Sequence, residues 1–376
     1  MALFDNIVGQ KLALALLTQA LATGPSHAYL FAGPRGAGKT DTAVEFAAAL
    51  VCDAGGCGEC SVCRRVRDGI HPDVNLLSPE GSASYLVDQI REINEHVSWR
   101  PYEAKARVWI LTDAEALYGS QGEPANAFLR TLEEPPAHAF FVLVTSAPDR
   151  LLDTIASRCQ RVPFMRVPVD EMTVHLERNF VLAPGMAGTL ARISRGDLDY
   201  ARELAAHPSS VEHRRRLISW ARSVPSGSPL DSMVMLDDIV AQVDARAEAV
   251  AGEVESRRTQ DLEWAPDARA RARIDKAFDQ KAKREKRRAL NVGLDEVMGV
   301  FASWYRDLAV VALDAGDAVL NSDHLEDLQT DALPGMVEAY LAAVAAVQRA
   351  QERFRYNVDA RCALEDMVFT MKEALS

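Results

Sequence analysis

Residues 33–40 read Gly-Pro-Arg-Gly-Ala-Gly-Lys-Thr, a complete Gly-x4-Gly-Lys-Thr (Walker A) pattern. An apolar run, His27-Ala28-Tyr29-Leu30-Phe31-Ala32, leads into it, and helical spacing from Thr40 to Val51 leads out. A strand that enters a glycine loop and leaves as a helix permits few folds. The loop amides and the positive end of the helix then meet at the C-terminal edge of a parallel sheet, where an anion can sit. Gly36 and Gly38 let the backbone turn its N–H groups inward, Gly33 opens the pattern, Lys39 can reach β and γ phosphates, and the Thr40 hydroxyl can ligate Mg²⁺. These residues predict an ATP/Mg²⁺ seat. A tight turn that binds nothing is the plainer alternative.

The rest of the first half agrees with such a sheet. Strands are predicted at Val74–Leu77, Val108–Leu111 and Phe140–Val144, alternating with helical patterns over 87–97 and 122–132. That alternation implies a parallel sheet covered by helices on both faces. The α/β block runs over residues 1–164, a short helical segment over 165–207, and a wholly helical region over 208–376. A charged insertion occupies about 250–290 of the last region. Within it, 269–288 holds ten Lys or Arg and three acids. A solvated helix and a contact with nucleic acid or a partner both fit such a run.

Composition narrows the class. With 376 residues, 48% hydrophobic and 26% charged, the chain suits two or three globular domains. No run approaches the roughly 18 to 20 apolar residues of a membrane span, and Met-Ala-Leu-Phe-Asp-Asn is unlike a signal peptide. A cytoplasmic protein without membrane contact is expected. The net charge of −12 argues against gripping DNA by bulk electrostatics, although local basic patches remain open.

Four of the six cysteines fall close together, as Cys52-x4-Cys57-x2-Cys60-x2-Cys63. In a reducing compartment such spacing reads as a closed, structural Cys₄ zinc site. The x4 gap leaves His71 as a substitute for Cys52.

A P-loop hydrolase also needs an acidic pair at the end of a neighbouring strand. Val108-Trp109-Ile110-Leu111 is followed by Thr112-Asp113-Ala114-Glu115. Thr112 stands where the metal-positioning aspartate belongs. In either register of Asp113 one acid of the pair is missing.

At this point the chain resembles the bacterial DNA polymerase III clamp-loader subunits, which are AAA+ proteins. The resemblance rests on Phe4-Asp5-x-Ile7-Val8-Gly9-Gln10, the strand before the loop, the cysteine cluster with His71-Pro72-Asp73, and the run from Ala125 to Leu132-Glu133-Glu134-Pro135-Pro136. It continues in Ser157-Arg158-Cys159 and in Asn357-Val358-Asp359-x3-Ala363-Leu364-Glu365. The resemblance implies an AAA+ domain with an inserted zinc module at about 52–63, a helical lid over 165–207 and an all-α collar over 208–376. The collar would join a pentameric ring with gamma/tau and delta subunits that loads a sliding clamp onto primed DNA. Such a chain is part of a DNA-directed DNA polymerase assembly.

Two departures separate this chain from the motor subunits of that family. The motors carry Asp-Glu-x-His where Thr112-Asp113-Ala114-Glu115 stands, and a lid arginine where Asp199 stands. In both it is similar to the delta prime branch, although the intact loop leaves nucleotide binding open. The resemblance therefore implies a scaffold with little or no ATPase activity of its own. Arg158 would act in trans as an arginine finger on a neighbour's ATP, because a guanidinium fork fits phosphate oxygens and stays charged. A motor-type or solitary ATPase is the alternative, and a surface ion pair is the alternative for Arg158.

Overall fold

The computed structural model describes residues 3–80, 84–118, 123–263, 268–355 and 359–376. Gly122, with which one predicted helix begins, Asn357 and Val358 of the last motif, and 264–267 of the charged insertion lie outside the described residues. The chain divides into two compact units, 1–205 and 206–376.

The first unit opens with α1 (Lys11–Thr23), β1 (Ala28–Ala32), α2 (Lys39–Val51) and α3 (Ser61–Arg67). There follow β2 (Val74–Leu77), α4 (Val87–His96), β3 (Arg107–Leu111), α5 (Glu123–Glu133) and β4 (Ala139–Thr145). A four-residue helix, α6 (Asp153–Ala156), precedes β5 (Gln160–Pro163), and α7 (Val169–Asn179), α8 (Met186–Ile193) and α9 (Leu198–Ala206) follow. The five strands form one parallel sheet in the order β2-β3-β4-β1-β5.

The two-residue periodicity of the strands sorts the core into two layers. Tyr29, Phe31, Val108, Ile110 and Val142 pack with Leu17, Phe46 and Val66 on one face. Leu30, Trp109, Leu111, Phe141 and Leu143 pack with Ile90, Phe128 and Leu132 on the other. β1 is buried at all five positions because it lies between β4 and β5. Its interior place beside β4 puts the glycine loop where chain connections leave to opposite sides, the usual position of a ligand crevice in an open parallel sheet.

β5 is absent from the sequence expectations, which end the block near Phe164. Its reading, Gln-Arg-Val-Pro, has one buried position and closes on proline. What makes it a strand is the free edge of β1, with which it pairs from Tyr29–Gln160 to Ala32–Pro163.

The second unit is helical throughout its described residues: α10 (Pro208–Ser223), α11 (Pro229–Glu263), α12 (Ala268–Ala312), α13 (Leu325–Asp331), α14 (Val337–Arg355) and α15 (Ala360–Leu375). One apolar core joins them through Leu217, Leu236, Phe301, Trp304, Val347 and Met367. Inside it, Arg214 pairs with Asp323 at 2.7 Å and with Asn321, while buried Asp307 accepts the Leu320 and Asn321 amides. These buried charges are matched by donors or acceptors, as burial requires.

Candidate functional site

The glycine loop is built by three glycines with three different duties. A Cβ on Gly33 would lie 2.3 Å from the carbonyl oxygen of Phe164, so close packing against the chain after β5 requires glycine there. Gly38 has open space around it but φ +73, the left-handed region that favours glycine. At Gly36, with φ +64, a Cβ would meet the Asp197 carboxylate at 1.8 Å. The Leu198 N–H also donates to the Gly36 carbonyl at 2.8 Å. The first turn of α9 therefore rests on the tip of the loop.

Lys39 is buried and turns its ammonium back onto the loop, donating to Gly33 O at 2.8 Å and to Pro34 O. Burial lowers its pKa; the charges of Glu115, Asp113 and Asp199 work against that lowering, and Arg35 adds to it. Three carboxylates thus already lie in the field of the one lysine that would meet a phosphate. Arg202 on α9 donates to Asp41 on α2 at 3.0 Å, which ties α9 to the helix after the loop as well as to the loop itself.

The strand-end acids adopt roles that sequence reading missed. The Thr112 side chain faces β2, with its Oγ1 donating to Leu77 O at 3.2 Å and lying 2.9 Å from Ser78 Oγ. Asp113 takes a left-handed conformation, φ +48, which aspartate tolerates better than most residues. Glu115 instead accepts from Thr145 Oγ1 at 2.6 Å and from Ser146 Oγ at 3.0 Å, at the end of β4. No spacing rule marks Glu115, because its partners stand thirty residues further along the chain.

Arg158 sits just before β5, at the opposite edge of the sheet from the loop that follows β1. The backbone of Arg158 thus precedes the four residues of β5 that pair alongside Tyr29–Ala32, while the glycine loop follows them. Arg158 is partly exposed and donates to Glu133 Oε1 at 2.5 Å and to Thr154 O at 2.7 Å. Sequence reading singled out the Leu-Glu-Glu-Pro-Pro run without assigning Glu133 this contact.

The four predicted cysteine ligands converge. The sulfurs of Cys52, Cys57, Cys60 and Cys63 all lie within 4.8 Å of one another. Left-handed Gly55, Gly56 and Gly58 fold the intervening turn. Burial opposes ionisation of Cys52, but the N–H groups of Cys57, Gly56 and Ala54 aim at its sulfur and bring its pKa down to about 6. Backbone N–H groups of Glu59 and Cys60 likewise lower that of Cys57, whereas burial pushes Cys63 up to about 12. Sulfurs ringed by amide donors suit thiolates, and thiolates this close suit a soft cation, so the set fits a metal ion.

His71 does not join the cluster. Its Nε2 lies 3.0 Å from Glu103 and its Nδ1 accepts the Asp73 N–H at 3.2 Å, which leaves Cys52 in the ligand set. Asp73 is fully buried and accepts the amides of Tyr102, Glu103 and Ala104 at 2.6 to 3.0 Å. The module is clamped to α2 by Arg67, which grips Glu45 through two bonds of 2.5 and 2.8 Å.

Comparison with known proteins adds a lineage to this geometry. A family model described as DNA polymerase III, delta subunit, matches residues 9–168. The DNA polymerase III subunit delta' of Bacillus subtilis (strain 168) is 28% identical over 351 residues, 93% of this chain and 91% of that protein. The subunit tau of the same organism is 40% identical over 169 residues, 44% of this chain, of which this chain spans 29%. A solved gamma subunit-related protein of Thermotoga maritima, 15% identical, covers 97% of this chain and 100% of its own with a TM-score of 0.43, too loose a likeness to carry an argument. Over nearly its full length, then, the chain is similar to a DNA polymerase III subunit delta', and its first half is similar to the tau subunit.

Proposed function

We propose that this chain is a delta prime-type scaffold of the clamp loader, cytoplasmic and largely without hydrolysis of its own. It contributes Arg158 as a finger to the ATP of a neighbouring subunit. The observation that carries the reading is the placement of Arg158. It enters β5 at the end of the strands opposite the glycine loop, while at the loop's own end Thr112 follows β3 where a self-contained hydrolase needs an acid. That backbone placement supports a role toward a phosphate held by another molecule.

On this reading residues 1–164 form the AAA+ domain, 165–207 its lid and 208–376 the collar of a pentameric hetero-oligomer. Gamma/tau and delta subunits are its partners, and the sliding clamp and primed DNA are met through the complex. Gly33, Gly36, Gly38, Lys39 and Thr40 would hold any ATP/Mg²⁺, bound without turnover. Zn²⁺ is the metal proposed for Cys52, Cys57, Cys60 and Cys63, where a d¹⁰ ion in a closed tetrahedron would act structurally.

The test is reconstitution with motor and wrench subunits, clamp and primed DNA. Arg158→Ala should assemble normally yet lose part of the ATPase and loading rate, and Arg158→Lys should rescue poorly, since an ammonium lacks the planar fork. Unchanged rates from a fully assembled Arg158→Ala complex would remove the role in trans. Steady turnover by the isolated chain, above a Lys39→Ala control, would favour the motor reading instead.

A further inference from the structure

The apolar core of the second unit takes in α11 only as far as Val243 and α12 only from Leu290. Beyond it, α11 continues to Glu263 and α12 begins at Ala268. About twenty residues of each helix, roughly 30 Å, therefore pair with each other outside that core. Ion pairs stitch this stretch together: Arg258 to Asp279 at 3.0 Å, and Lys286 to Glu248. Val254 is buried, and Phe278, Ala282, Glu285 and Ala289 are half-buried.

Those contacts orient α12. Asp279, Lys286 and the half-buried positions mark the sides turned to α11, whereas Lys283 and Arg287 are exposed. At about 100° per residue, the face that Lys283 and Arg287 mark continues in sequence through Arg269, Arg273, Lys276 and Gln280. These positions fall at i, i+4, i+7, i+11, i+14 and i+18, a row about 27 Å long. None of the three acids of 269–288 belongs to it. In a chain of net charge −12, five of the ten cations of 269–288 fall, by their spacing, on this one face.

We propose that this face of the α11–α12 hairpin binds the phosphate backbone of duplex DNA. A protein partner would need apolar or aromatic anchors at the centre of its interface, and this row offers none. A row of cations with a single uncharged polar member matches instead a regular line of phosphates, one every 3.4 Å or so along each strand. The chemistry is sequence-independent and needs no groove, so the face holds DNA without reading it. It is separate from the glycine loop and from Arg158, and does not depend on either.

The experiment uses the full chain and a fluorescent 30-base-pair duplex in anisotropy titrations at about 50 to 200 mM salt. The comparison is a variant with Arg269, Arg273, Lys283 and Arg287 all changed to Gln, a residue that supports helix as well as arginine does. Circular dichroism and melting check that the hairpin is intact. Wild type should bind at low salt, and the variant at least tenfold more weakly, with a slope of log K against log salt shallower by about 4. Equal binding by both chains, or no binding by wild type at 50 mM salt, would overturn the proposal. So would a variant that keeps DNA binding while losing co-purification with a partner subunit, which would assign the face to an acidic protein.

Discussion

Asp73 shows how much one side chain can organise. Its carboxylate is buried, which by itself would raise its pKa, but the Glu103, Tyr102 and Ala104 amides outweigh that and hold it below the usual value. A native pKa below the unfolded one means that the stabilisation is full above about pH 4 and is lost as pH falls through the native value. Asp73→Asn should therefore cost about 3 kcal/mol at neutral pH, since it weakens several charge-assisted bonds together. It should also flatten the loss of stability in acid; denaturant titrations at pH 7 and pH 3 measure both. Had the two chains the same acid dependence, the carboxylate would not be the anchor of the 102–104 turn. At the same scale, Asp197 is notable for resting on Gly36, where the negative charge opposes any phosphate that enters the loop.

The cysteine module depends on its docking, and the proposed zinc would bind into the same contacts. α3 is only seven residues long, too short to be stable alone, and it is held by its packing and by the Arg67–Glu45 grip on α2. Cys52 and Cys63 belong both to the cysteine cluster and to the core on that face of the sheet. Metal loss should thus be felt beyond the module. Changing Cys60 and Cys63 to Ser should abolish a content of about one Zn²⁺ per chain and lower the melting temperature of the first unit, because ligand binding contributes directly to folding. Metal analysis by mass spectrometry and a thermal melt measure this. A metal-free wild type of undiminished stability would count against zinc. Because Glu45 is buried, leaving it unpaired on α2 would be costly, which gives the Arg67 grip its weight.

The whole molecule consists of two units, each with cores of its own. Each therefore has the means to fold separately, which gives the assembly proposal a clean test. A chain ending at residue 205 should give a cooperative melt and bind zinc, yet fail to co-purify with clamp-loader partners, because ring formation needs a permanent contact that nucleotide does not control. If the shortened chain assembled as the full one does, the collar assignment for 208–376 would be wrong. The buried polar network around Arg214 and Asp307 makes the helical unit specific as well as stable, since its partners satisfy one another in one arrangement.

Local spacing was enough to read the strand–loop–helix around Lys39, the α/β alternation and the clustering of the four cysteines. Left-handed glycines, apolar periodicity and paired CxxC steps are properties of contiguous residues, so they survive without a fold. β5 was not legible, because Gln160-Arg161-Val162-Pro163 becomes a strand only by completing the edge of β1. Glu115 was passed over in favour of Asp113, since hydroxyls thirty residues away decide where its carboxylate goes. The entry of Arg158 into β5 at the end opposite the glycine loop, the exclusion of His71 from the cysteines and the seating of Asp197 on Gly36 are likewise outcomes of packing. Each depends on which distant segments are brought within a few ångströms, and no local pattern encodes that distance.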